Sequence, residues 1–119
     1  MAVGATVTAD SQLVVLALHW DGRPTAQLLL SGELDLDTGP LLAHALAPLL
    51  ADRGIRRIEV DVALLGFCDA GGLSALLAAQ RRATDRGVVF YLIQIRAPLQ
   101  KVLDAAGLGR LLHPPHGNG

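Results

Sequence analysis

Ile58-Glu59-Val60-Asp61-Val62, followed by Phe67-Cys68-Asp69-Ala70-Gly71-Gly72-Leu73, is the stretch that decides the fold. Apolar and acidic residues alternate over 58–62, the period of a strand with one face in a core and one in water. The period then lengthens. Leu73, Leu76, Leu77, Gln80 and Ala83 fall on one stripe of a helix running from Asp69 to Arg86. Asp69 is placed to cap that helix and Gly87 to stop it. Val88 to Ile95 is nearly continuous and apolar, the pattern of a strand covered on both faces or central in a sheet. Strand, helix and strand in that order form a right-handed crossover whose two strands are parallel.

On the N-terminal side of this unit, Leu13–Trp20 and Ala26–Leu34 are two β-runs separated by the turn cluster Asp21-Gly22-Arg23-Pro24, which predicts an antiparallel hairpin. Asp37 or Thr38 caps a first helix, with Pro40 in its opening turn and Leu42, Ala45, Leu46 and Leu49 as its apolar stripe. Pro48 predicts a bend or early fraying, and Gly54 ends the segment. On the C-terminal side, Pro98 opens a third helix through Ala106, carrying Leu99, Val102 and Leu103 and stopped by Gly107. Residues 1–10 are small and polar and read as a frayed terminus; 114–119 read as a flexible tail beyond a last short strand. The expected order is β-β-α-β-α-β-α. The fold class is α/β: one small domain over residues 11–113, with a mixed four- to five-stranded sheet and helices mainly on one face.

Composition narrows the function. The 119 residues suit one domain. A hydrophobic content of 51% excludes intrinsic disorder. The net charge is −1 and the basic residues are scattered in ones and twos, as at Arg56-Arg57 and Arg81-Arg82. Nucleic-acid binding needs a concentrated basic patch, so none is expected. Cys68 is the only cysteine, which allows no internal disulfide and fits a reducing cytoplasm. The first ten residues lack the pattern of a signal peptide, and the apolar run Val88–Ile93 is far short of the ~20 residues that span a bilayer. The expectation is a cytoplasmic protein without direct membrane contact.

Each catalytic pattern in the sequence has a simpler reading. Asp35 and Asp69 could form an acid–base pair, but no pocket is implied between them. Cys68 precedes a helix N-terminus, where a thiolate gains stability, yet no base accompanies it; a small apolar Cys is the plainer reading. His113 and His116 are half a metal site in a loose tail. No phosphate-binding or dinucleotide fingerprint occurs. No catalytic residue, metal or cofactor is expected. Gly71 and Gly72 read in two ways: a bare helix start that lets a partner approach the backbone, or a tight strand-to-helix turn. Glu33 and Asp35, at a strand exit, are either charged contacts for a basic partner or caps of the first helix.

Gly32-Glu33-Leu34-Asp35, then a helix, a strand, and Phe67-x-Asp69-x-x-Gly72-Leu73 opening the next helix, resemble the STAS family of bacterial anti-sigma factor antagonists, over residues 11–112. The resemblance implies a non-enzymatic binding protein. It implies a partner, an anti-sigma factor of the GHKL serine-kinase type, whose capture frees a sigma factor. It also implies that the kinase phosphorylates a serine directly after the Asp of the second motif, and that the complex then dissociates. That Asp corresponds to Asp69, and the serine position holds Ala70, which has no hydroxyl to modify. The implied partner-binding residues are Asp35, Asp69, Ala70, Gly71, Gly72 and Leu73. Ser74, one turn on, is either a displaced phosphosite or an ordinary helical serine. The chain is expected to be a monomer or weak dimer. Two alternatives stand beside this: an accessory or scaffold STAS subunit of another complex, for example in lipid transport, and a sensor or enzyme using the Cys68–Asp69 junction.

Overall fold

One mixed sheet in the order β1-β2-β3-β4-β5 is built from β1 (Val3–Ala9), β2 (Leu13–Trp20), β3 (Thr25–Leu34), β4 (Arg57–Cys68) and β5 (Val89–Ile93). The helices are α1 (Gly39–Ala51), α2 (Ala70–Asp85) and α3 (Ala97–Ala105). The computed structural model describes residues 3–110 and 112–115. β1, β2 and β3 form an antiparallel meander, and β3, β4 and β5 pair in parallel through α1 and α2. The expected mixed sheet is therefore present, with five strands.

The strand period sets the core. Leu13, Val15, Leu28, Leu30, Ile58, Val60, Phe90 and Leu92 are buried on one face, in a single cluster with Leu42 and Leu46 of α1, Leu73 and Leu76 of α2, and Leu99 and Leu103 of α3. Fully burying such a side chain is worth ~1.5–3 kcal/mol, so this shared face holds the layers together. α2 ends as its glycine predicts: Gly87 has φ +73 and Val88 N–H donates to the Ala83 carbonyl at 2.9 Å.

Three expectations need correction. Residues 3–9 are not frayed but form β1, paired from Val3↔Trp20 to Ala9↔Val14, so the domain begins before residue 11. A local turn drives this pairing: Asp10 Oδ1 accepts the backbone N–H groups of Gln12 (2.7 Å) and Leu13 (2.9 Å), which also hold its carboxyl below the usual carboxylate range. Second, β5 lies at a sheet edge and not in the centre. Phe90 and Leu92 are buried on the helix face and Tyr91 against Glu59 and Arg57 on the other, where Val89 is exposed; Leu92 N–H donates to the Leu112 carbonyl at 2.7 Å. That single bond replaces the expected last strand among the described residues; 116–119 lie outside them. Third, α1 continues past Pro48 to Ala51 and stops before Gly54, because Leu49 and Leu50 bury its last turn.

Candidate functional site

β3 and β4 run in parallel and end together, with Leu34 opposite Cys68. Asp35 and Asp69 therefore leave the sheet side by side, at the carboxyl ends of strands where open α/β sheets present their sites.

The β3–α1 junction is closed by polar side chains. Asp35 Oδ1 accepts the backbone N–H groups of Asp37 (2.9 Å) and Thr38 (2.9 Å). Thr38 is fully buried; its hydroxyl donates to the Glu33 carbonyl (2.9 Å) and accepts from Asp35 N–H (2.9 Å). Neither Asp37 nor Thr38 makes the expected side-chain cap, because the Thr38 oxygen faces back to the strand end. Asp35 thus organises its own loop first, and the loop turns Leu36 outward to 78% exposure.

The β4–α2 junction is closed by small residues. Asp69 caps α2, its Oδ1 accepting from Gly72 N–H at 2.9 Å. A Cβ on Gly72 would stand 2.2 Å from the Leu34 carbonyl oxygen and 2.8 Å from Cys68 Sγ; one on Gly71 would stand 2.8 Å from Leu36 N. The two glycines thus serve the tight turn, letting α2 lie against the end of β3. Gly72 and Leu73, two of the six expected partner contacts, are buried. Gly71 and Asp35 are half-buried, while Asp69 and Ala70 are exposed. Ser74 is also exposed, one turn along the same face as Ala70.

Burial pushes the Cys68 thiol up to about 11, with the Asp69 charge adding to the effect, so the thiolate required of a nucleophile is disfavoured at neutral pH. No group of three or more metal-ligating side chains occurs among the described residues. His113 contacts Gln100 Oε1 at 3.2 Å, and His116 lies outside the described residues. A groove of about 1040 Å³ between α3 and the C-terminal segment includes neither Asp35 nor Asp69. None of the described helices is long and apolar enough to cross a membrane.

Sequence reading missed the apolar part of this surface. Phe67 (49% exposed), paired with Glu33 at the end of β4, is exposed as Leu36 is, while Leu64 (67%), paired with Ser31, is exposed on the sheet face that also carries Val14. Around Leu36 and Phe67 stand Glu33, Asp37 and Asp69, with no Lys or Arg in residues 31–40 or 64–74.

The chain is 25% identical over 83 residues to an anti-sigma F factor antagonist of Paenibacillus polymyxa, covering 70% of this chain and 71% of that protein. Its fold matches the crystal structure of an anti-sigma factor antagonist from Mycobacterium paratuberculosis, with TM-score 0.69, 21% identity and 92% of each chain covered. It also matches the phosphorylated form of the Bacillus cell fate determinant SpoIIAA, with TM-score 0.61 and 17% identity over 97% of this chain and 93% of that one. A family model described as "Mlab, STAS domain" matches residues 16–113, from within β2 through α3 and without β1, and the chain belongs to that STAS family.

Proposed function

We propose that this STAS domain is an anti-sigma factor antagonist. It docks the β3–α1 loop and the start of α2 onto an anti-sigma factor of the serine-kinase type, and it cannot be released by phosphorylation at position 70. The observation that carries the reading is the exposed methyl of Ala70, one residue after the capping Asp69. A phosphoserine there would add roughly −1.5 to −2 charge beside carboxylates. Alanine has no oxygen to receive it, so the docked state has no switch at that place.

The same surface indicates what it would meet. Leu36 projects from a loop bearing Asp35 and Asp37, with Glu33 at the end of β3 before it and Asp69 opposite. A partner of complementary chemistry has an apolar recess with basic residues around it. Exposed apolar anchors in a ring of one charge sign favour both affinity and orientation.

The test measures equilibrium binding of this chain, and of Ala70→Ser, to an anti-sigma serine-kinase protein with ATP and with ADP. The expected result is that the wild-type chain stays bound in both nucleotides and only Ala70→Ser is released by ATP. ATP-dependent release of the wild type, with phosphate mapped to Ser74, overturns the unswitchable reading. A second reading is favoured by the matching family being described as Mlab: an accessory subunit docked through the same α2 start but acting on no sigma factor. Under that reading the chain binds no anti-sigma protein in either nucleotide.

A further inference from the structure

The three helices cover one face of the sheet; among the described residues no helix covers the other. Strand register gathers Val3, Val7, Val14, Leu16, Leu18 and Leu29 on that bare face, across β1, β2 and β3. Val7 is 63% exposed, Val3 53% and Val14 40%. A strand with one wetted face alternates apolar with polar residues, whereas β2, Leu13–Trp20, is apolar on both sides except at His19. The pattern belongs to a strand covered twice.

The rest of the bare face carries charge, but its carboxylates are already bonded within the chain. Glu59 accepts from Gln27 Nε2 (3.1 Å) and from the Tyr91 hydroxyl (2.7 Å), and the Arg57 guanidinium lies 5.8 Å from the Tyr91 ring centre. Asp61 Oδ1 accepts from Ala63 N–H at 2.9 Å. Groups satisfied in this way tolerate a neighbouring surface that removes their water.

We propose that a second copy of this chain covers the bare face, sheet on sheet, about a two-fold axis along β2. The side chains of β1 and β2 on this face are uncharged, so stacking the region on itself buries no unpaired charge. That axis lays β1 of each copy over β3 of the other and leaves Arg57, Glu59 and Asp61 at the open margin. Three strands ~4.8 Å apart and about 25 Å long give a footprint of about 350 Å². A stable dimer buries ~800 Å² per partner, so this association is weak and concentration-dependent. The stacked face is opposite the one that carries α2, so the dimer leaves Ala70 free; the inference does not rest on the identity of any docking partner.

Sedimentation equilibrium of the full chain from about 1 µM to about 1 mM tests it. The expected mass rises from one chain to two across that range. Val7→Lys and Val14→Lys, at exposed positions on two different strands, each weaken association at least about tenfold with an unchanged circular dichroism spectrum, since burying a lysine at the centre of the contact is unfavourable. Leu36→Lys, at the α2 end, leaves association unchanged. A single-chain mass throughout, or a dimer that folded Val14→Lys leaves intact, overturns the proposal. The latter outcome would place the contact at the β1 edge or elsewhere.

Discussion

Two strand-to-helix junctions lie next to each other, and they are closed by opposite means. The β3–α1 junction is filled with polar groups: Thr38, fully buried, ties Glu33 to Asp35, and Asp35 in turn binds the loop backbone. The β4–α2 junction is emptied of side chains, with Gly71 and Gly72 pressed against Leu36 and Leu34. One is held by hydrogen bonds satisfied in a dry place, the other by room that any Cβ would fill. Because each glycine packs on the polar loop, the bare junction depends on the filled one. Together they present Ala70 and Leu36 outward.

The largest expected effect comes from filling the empty junction. Gly72→Ala improves helix propensity by ~1 kcal/mol but forces a methyl to within 2.2 Å of a backbone carbonyl, which cannot yield as a flexible side chain would. Overpacking of this kind costs about 3 kcal/mol, so urea unfolding is expected to show a net loss of about 2 kcal/mol. An unchanged midpoint would mean that α2 can slide away from β3, and the contrast between the junctions would fail.

Next in size is the polar junction. Thr38→Val keeps the shape but removes the three hydroxyl contacts, with Asp35 N–H, the Glu33 carbonyl and Asp35 Oδ1, each of which loses that partner. An unmade buried hydrogen bond costs ~1–3 kcal/mol, and a loss of about 2 kcal/mol is expected in the same assay. Thr38→Ser should recover most of it, because the oxygen and not the methyl carries the effect.

The effect confined to alkaline pH concerns Cys68, which lies beneath Gly72. Its folded pKa is raised by burial from 9.0 to about 11, so the neutral thiol is favoured in the fold. The sign follows directly: the associated stability is fully present below pH 9 and is lost as pH rises through about 11. A shallow fall in stability over that window, absent in Cys68→Ala, is expected. Alkylation of the native thiol at pH 8 should be much slower than in urea, and equal rates would show the junction to be open.

Legibility followed the range of the interactions. The Asp69 cap reaches three residues ahead, and the Gly87 stop is set by its own φ, so both were readable from neighbouring letters. The alternation over Ile58–Val62 likewise gave the buried face of β4. β1 was missed although Val3, Ala5, Val7 and Ala9 alternate with Gly4, Thr6 and Thr8, because residues this small give a weak strand signal and the segment becomes a strand only when β2 supplies its partner edge. At the site, Asp69 and Ala70 are exposed. The burial of Gly72 was not readable, since nothing local reveals that the Leu34 carbonyl stands against it, whereas the burial of Leu73 follows from its place on the apolar stripe.

The letters alone determined the parallel crossover, the position of the second helix and the methyl at residue 70, because period, cap and side-chain identity are properties of adjacent residues. Only tertiary structure decided which glycine touches what, which leucine faces out, and which side of the sheet stays bare. Those outcomes depend on segments brought together from distant parts of the chain, where packing and not propensity sets the answer.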